Sequence, residues 1–342
     1  MNAKLGLAVI GCGMAAKPHA LALQALSNMI DVRGVHARDR QRLERFATEF
    51  GFPVSEKAEA LAADPGVDAV LILTPPNARA AYVELFAAAG KHVLCEKPLE
   101  RTVEAAERIV QLCRDHAVTL GVVFQHRFRA ASQDLARRLA MDELGAIRMV
   151  RVDIPWWRDQ GYYDEPGRGS YARDGGGVLI CQAIHTLDLM LDLTGPVRAV
   201  QAMVATTALH RMEAEDFAAG TMEFANGAVG SLFATTAAYP GEPESIRLEC
   251  DAASVRLQSG TVTYSWRDGR VETAGAEART GGGADPMAFP MDWHRDLIAD
   301  FAEAVKRDQR PRVTGEDALQ VQRLIEAIEI SSSRRCRVEL SV

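Results

Sequence analysis

Five short runs in the first third of the chain are almost continuously apolar and rich in β-branched residues: 4–11 (KLGLAVIG), 30–37, 67–74, 92–95 (HVLC) and 119–124. Runs of this length and composition predict buried strands. Between them apolar residues recur at helical spacing, which predicts helices over 15–26, 40–50, 78–89 and 103–116. Strands that are apolar on both faces and alternate with helices imply a parallel sheet covered on both sides. Residues 1–125 are therefore expected to form a doubly wound α/β domain.

The pattern changes after Phe124. A helical stretch at 131–141 is followed by strand-like runs at 147–154, 199–206, 216–224, 228–235, 245–250, 254–257 and 261–266, with a hairpin signal at Asn226-Gly227. The segment VLICQAIHTLDLMLDLTG (178–195) has helical spacing and stops at Gly195-Pro196. Residues 274–286 (AGAEARTGGGADP) read as a mobile loop, and helices are predicted at 293–306 and 316–332. Residues 126–342 are thus expected to form an α+β domain with a mostly antiparallel sheet, and no internal repeat is visible.

Length and composition narrow the possibilities. At 342 residues the chain exceeds one ordinary core, in keeping with two domains. No apolar run approaches the roughly 20 residues of a bilayer span. The N-terminal apolar run is short and ends in glycines, unlike a signal peptide, so a cytoplasmic protein is expected. Six cysteines, at 12, 95, 113, 181, 250 and 336, show neither paired nor metal-binding spacing; reduced thiols and no metal are expected. A net charge of −7 without a Lys/Arg block argues against a nucleic-acid partner.

Chemistry first shows itself in AVIGCGMAAKPHA. Gly11, Gly13 and Ala16 form G-x-G-x-x-A directly after the first strand and at the opening of a helix. The first glycine allows a tight turn and the second lets a pyrophosphate approach the backbone. The small third residue permits close packing, and the helix N-terminus favours phosphate. A dinucleotide is the expected ligand, held at Gly11, Cys12, Gly13, Met14 and Ala15. At the end of the second strand Ala37 stands where an NAD site usually has an acid, and Arg38 follows. That pairing suits the 2′-phosphate of NADP, while Asp39 keeps NAD open.

The glycine loop, LILTPPNARAAYVELFAAAGKHVLCEKPL, FQHRFR, DGGGVLICQAIHTLDLMLDLTGPV and DWHRDLIADFAEAVKRDQRPRVTGEDA together resemble the glucose-fructose oxidoreductase, inositol dehydrogenase and rhizopine-catabolism (Gfo/Idh/MocA) family, over essentially the whole chain. The resemblance implies a Rossmann domain joined to an open-faced antiparallel sheet, and NAD- or NADP-dependent oxidation or reduction of a secondary alcohol on a sugar or polyol. It also implies a homodimer or homotetramer formed through that sheet. Thr74, Pro75, Asn77, Glu96, Lys97 and Gln125 would join Ala37 and Arg38 in the cofactor site. The run DIPWWRDQGYYDEPGRGSYARDGGG is similar to the branch acting on nucleotide-linked sugar acids. Two positions depart from the family pattern: Cys181 stands where relatives often carry an acid or Asn, and Arg79 where they often carry His.

Hydride transfer needs a proton acceptor or donor and a group that stabilises an alkoxide. Lys97 follows the strand HVLC, at the carboxyl end of a parallel sheet where ligands bind in such folds, and Pro98 biases its backbone away from helix. His185 shares a predicted helix face with Cys181 and Asp188, and Asp188 is positioned to orient its imidazole. The competing readings of His185 are a core histidine and a zinc ligand with Cys181 and Asp188. The aromatic-rich segment from Trp156 to Tyr171 offers Trp157, Arg158, Tyr163 and Arg168 for stacking on rings and gripping anions; packing against a neighbouring subunit is the alternative. Arg127 and His294 complete the substrate candidates. A reductase of a keto-sugar or cyclic diol, or a dinucleotide sensor without catalysis, are the alternative functions.

Overall fold

The computed structural model describes residues 4–278 and 290–341. Contacts divide the chain into two compact units. The first is the chain up to Phe124 with Met291–Leu319, and the second is Gln125–Pro290 with the chain from Gln320. The expected loop at 274–286 begins inside a strand, and from residue 279 it lies outside the described residues. No helix among the described residues is long and apolar enough to cross a membrane.

In the first unit the elements follow as β1 (Leu5–Ile10), α1 (Ala16–Ala25), β2 (Ile30–His36), α2 (Arg40–Phe50), α3 (Ala58–Ala63), β3 (Ala69–Ile72), α4 (Ala80–Ala88), β4 (His92–Cys95), α5 (Val103–Asp115) and β5 (Leu120–Val122). The five strands form one parallel sheet in the order β2-β1-β3-β4-β5. β1, β3 and β5 are buried along their whole length, as strands covered on both faces must be. The register pairs Ile10 with Ile72 and Ile72 with Cys95, so three strands end level. The glycine loop, Thr74 and Glu96 therefore leave the same edge of the sheet.

Residues 291–319, which the sequence reading joins to the second domain, cluster with the first unit. The helix Asp292–Arg307 packs on α1 and buries Trp293, Leu297, Ile298 and Phe301, a stripe at helical spacing.

The second unit contains α6 (Ala130–Ala140), β6 (Ile147–Pro155), α7 (Gln160–Tyr163), α8 (Ile184–Thr194), β7 (Val197–Ala205), β8 (Phe217–Phe224), β9 (Val229–Thr235), β10 (Ser245–Cys250), β11 (Ala253–Gln258), β12 (Thr261–Trp266), β13 (Val271–Gly275) and β14 (Val338–Glu339). Its sheet has nine strands in the order β13-β12-β11-β10-β6-β9-β8-β7-β14. Every neighbouring pair is antiparallel except β6 and β9. β13, absent from the sequence reading, is a pleated edge strand without buried residues.

The single helix expected at 178–195 is present and runs without a gap, but its first turn is π-helical. A π-turn over Leu179–Ala183 precedes α8. Gly177 lies so close to the backbone of Glu215 that a Cβ there would sit 1.8 Å from the Glu215 carbonyl oxygen. The Glu215 carboxylate accepts from the Gly177 and Leu179 amides at 3.0 Å each, replacing part of an ordinary first turn.

Candidate active site

Gly11 has φ +104°, and a Cβ on it would meet the Leu73 carbonyl carbon at 3.0 Å, so the turn requires glycine. Gly13 is exposed, with nothing within 4 Å of where its Cβ would lie, and no side chain caps the start of α1. Open backbone ahead of an uncapped helix fits a pyrophosphate, so the residues present suit a dinucleotide. Met14 is exposed, Ala15 is half-buried, and Cys12 is buried with its thiol pushed up to about 11 by that burial.

Along the same sheet edge Thr74 is half-buried while Pro75 and Asn77 are exposed. After β2, Asp39 accepts the Arg42 amide at 3.0 Å and caps α2, which gives it a structural task. Arg38 is exposed beside half-buried Ala37.

The turn after β4 is the most constrained part of the site. Glu96 is buried and accepts from the Lys97 amide at 3.0 Å through one carboxylate oxygen; the other lies 2.7 Å from Nε2 of His19 on α1. Burial alone would raise this carboxyl, but the His19 hydrogen bond and the nearby His19 and Lys97 charges hold it down at about 2. Arg79, at the start of α4, turns its guanidinium back into this region and is 2% exposed. Its Nε donates to the Thr74 carbonyl at 2.9 Å and Nη2 to the Lys97 carbonyl at 3.3 Å; Nη1 donates to the carbonyls of Glu96 and Pro98. Lys97 is half-buried between peptide groups held on both sides.

His294, expected near substrate, belongs to the first unit and is 2% exposed. Its ring meets His19 edge-on at 4.7 Å, and burial holds its imidazole down at about 3, hence neutral. Among the described residues His19, Glu96 and His294 are the one trio with ligand atoms within 4.8 Å of one another. The 2.7 Å contact between His19 and Glu96 is a hydrogen bond, too short for an ion to sit between those two atoms.

In the second unit His185 lies near the start of α8, 9% exposed, and its ring stacks on His126 at 5.0 Å and 29°. Nε2 of His126 faces the Arg129 guanidinium, which only donates, so Nε2 is the accepting nitrogen of that contact.

Asp188, expected to orient His185, is engaged in an ion pair. Arg127 grips both Asp188 oxygens, at 2.8 and 2.6 Å, and reaches Asp192 at 3.0 Å. Asp188 is fully buried and Arg127 is 4% exposed. Arg127 therefore braces α8 against the segment Gln125–Phe128. The π-turn also removes the regular face that was to align Cys181 with His185; the Cys181 thiol points to the Gly176 carbonyl at 3.6 Å. Gln125 is buried at the start of this unit, with its side-chain oxygen lacking a partner among the described residues.

The aromatic arm is partly structural. The Tyr163 hydroxyl is 2.6 Å from Thr236 Oγ1 and its ring packs on His210 at 4.8 Å. Arg158 is 3% exposed and bonds the Trp157 carbonyl. Trp157 is half-buried against Tyr239 and His210. Tyr162, which the sequence reading passed over, lies between Arg158 and Arg168 at 5.7 and 4.6 Å, and Gln182 of the π-turn donates to its hydroxyl at 3.2 Å.

Residues 5–124 match the family model described as an oxidoreductase family with an NAD-binding Rossmann fold, and residues 132–256 match that family's C-terminal domain. D-xylose 1-dehydrogenase (NADP(+)) 2 of Haloferax volcanii is 31% identical, covering 96% of this chain and 97% of its own. Myo-inositol 2-dehydrogenase of Thermotoga maritima is 26% identical over 91% of each chain. Among solved structures, the WlbA dehydrogenase of Bordetella pertussis, in complex with NADH and UDP-GlcNAcA, is 28% identical with a TM-score of 0.84. The match covers 99% of this chain and 100% of that one. The chain belongs to the Gfo/Idh/MocA family and is an NAD(P)-dependent oxidoreductase.

Proposed function

We propose that the chain exchanges hydride between the nicotinamide cofactor and a secondary alcohol or ketone of a sugar, sugar acid or nucleotide sugar, with Lys97 and His185 acting on the substrate oxygen. The observation that carries this reading is the braced turn at Lys97, which leaves the same sheet edge as the glycine loop. When bound, the nicotinamide accepts or supplies the hydride. Lys97 donates a hydrogen bond to the substrate oxygen and stabilises its developing charge. His185 takes the hydroxyl proton in oxidation and returns it in reduction.

The first unit holds the cofactor through the glycine loop, Thr74, Pro75, Asn77 and Glu96. The second unit selects the substrate, with Trp157, Tyr162 and Arg168 as the ring- and anion-binding groups. Arg38, exposed while Asp39 is engaged as a cap, favours the 2′-phosphate of NADP. The name of the Haloferax relative carries NADP(+), and the Bordetella neighbour binds UDP-GlcNAcA. A cytoplasmic homodimer or homotetramer is in keeping with Met149 and Val229, apolar and about half exposed on adjacent strands β6 and β9.

The test is absorbance at 340 nm with NAD and NADP, each against D-xylose, myo-inositol and UDP-GlcNAcA, together with thermal shifts for the same compounds. A rise on oxidation of one of them, with a raised melting temperature, supports the proposal. No turnover and no shift across the panel counts against it.

A further inference from the structure

We propose that Arg79 is a positioning residue for the reaction: its guanidinium holds the backbone from which Lys97 projects and ties that backbone to Thr74. The proposal rests on the catalytic reading of Lys97. Four of the five guanidinium N–H groups can be traced, and all go to main-chain carbonyls: Thr74, Glu96, Lys97 and Pro98. Three consecutive carbonyls at a catalytic turn, with the carbonyl of a residue at the end of a neighbouring strand, are thus gathered by one planar group. The Glu96 carboxylate holds the Lys97 amide at 3.0 Å, so the peptide groups before and after the Lys97 Cα are both fixed.

Neither helix capping nor surface solvation accounts for an arginine here. It occupies the N-cap position of α4 without a capping hydrogen bond from its side chain, and a cation at a helix N-terminus opposes the helix dipole. Its guanidinium is desolvated, which lowers its pKa, while the Glu96 and Glu100 carboxylates offset that effect. Burying a cation is costly unless it is fully bonded and countered. In return the turn is held against rotation at each carbonyl. Lysine cannot substitute: its single nitrogen has three donors that radiate from one point, whereas the guanidinium presents a flat fork.

The experiment compares the wild type with Arg79→Lys, Lys97→Met and the double variant. It measures NADH affinity by fluorescence, single-turnover hydride transfer with D-xylose or UDP-GlcNAcA, and the crystal structure of Arg79→Lys. A displacement of about 1 Å at a catalytic group lowers the rate about 100-fold. We expect Arg79→Lys to slow hydride transfer by about that factor and to leave NADH affinity within about threefold, with the 96–98 turn displaced. The penalty should disappear in the Lys97→Met background, because a residue acting through Lys97 has nothing left to position. Wild-type transfer by Arg79→Lys, an equal penalty in both backgrounds, or an undisplaced turn would overturn the proposal. Wild-type turnover by Lys97→Met alone would instead remove the underlying reading of Lys97. If neither substrate reacts, the position of the turn in the Arg79→Lys crystal structure decides.

Discussion

Replacing Glu329 with Gln is expected to stabilise the protein, and to do so only above pH 5. Glu329 lies on the helix Gly315–Arg334, with Oε1 3.6 Å from the point where a Cβ on Gly176 would stand. Burial pushes its carboxyl up to about 8, with Glu215 and Glu326 adding repulsion. Glu215 is raised as well, first by burial, and the Tyr171 hydroxyl is pushed up to about 12 by burial and by these acids. Because the folded-state value of Glu329 lies above its ordinary 4.5, the native protein retains a proton that the unfolded chain gives up. Stability is therefore full below about pH 4.5 and declines as pH rises toward 8.

Because pH 7 lies about two and a half units above the ordinary value of 4.5 and still below the folded-state value of about 8, at about 1.36 kcal/mol per unit the penalty there is about 3 kcal/mol. Glutamine keeps the size and removes the ionisation. For a unit of this size, about 3 kcal/mol corresponds to a rise in Tm of roughly 6–12 °C. Calorimetry or urea unfolding of the two proteins at pH 5 and pH 8 reads it directly. A gain at pH 8 that shrinks toward zero at pH 5 is expected. An equal effect at both pH values, or no gain at pH 8, would refute the reasoning.

Two further substitutions probe the site. Asp188→Asn leaves the buried Arg127 guanidinium without its main counter-charge, and a loss of about 3 kcal/mol in urea unfolding is expected, as for a broken buried ion pair. Arg38→Ala is expected to raise KM for NADPH about tenfold with little change for NADH, and the wild-type preference should weaken with added salt; equal effects on both cofactors would remove the 2′-phosphate role.

The sequence was most informative where burial follows a simple period. The strands His92–Cys95, Ser245–Cys250 and Thr261–Trp266 and the helix Arg40–Phe50 have the predicted bounds, because each is framed by turn residues and has a clear apolar pattern. Helix α3 spans six residues and edge strand β13 buries none of its own, so neither has a periodicity to detect. The π-turn before α8 depends on Glu215, 36 residues after Leu179, which no local pattern contains. The same limit applied to charge. In sequence Arg127 stood out as a substrate candidate and Arg79 only as a departure from the family pattern. Their task is set by distant acceptors: Asp188 in one case and the backbone of Glu96 to Pro98 in the other. His19 had no signal beyond its place in the helix after the glycine loop, yet it supports Glu96.

In the proposed reaction Lys97 acts on the substrate while the braced fold around it binds cofactor. The most direct measurement is single-turnover hydride transfer by Lys97→Met beside its NADH dissociation constant. A rate lowered about 100-fold or more is expected, with NADH binding within about threefold of the wild type. A rate near that of the wild type would contradict it.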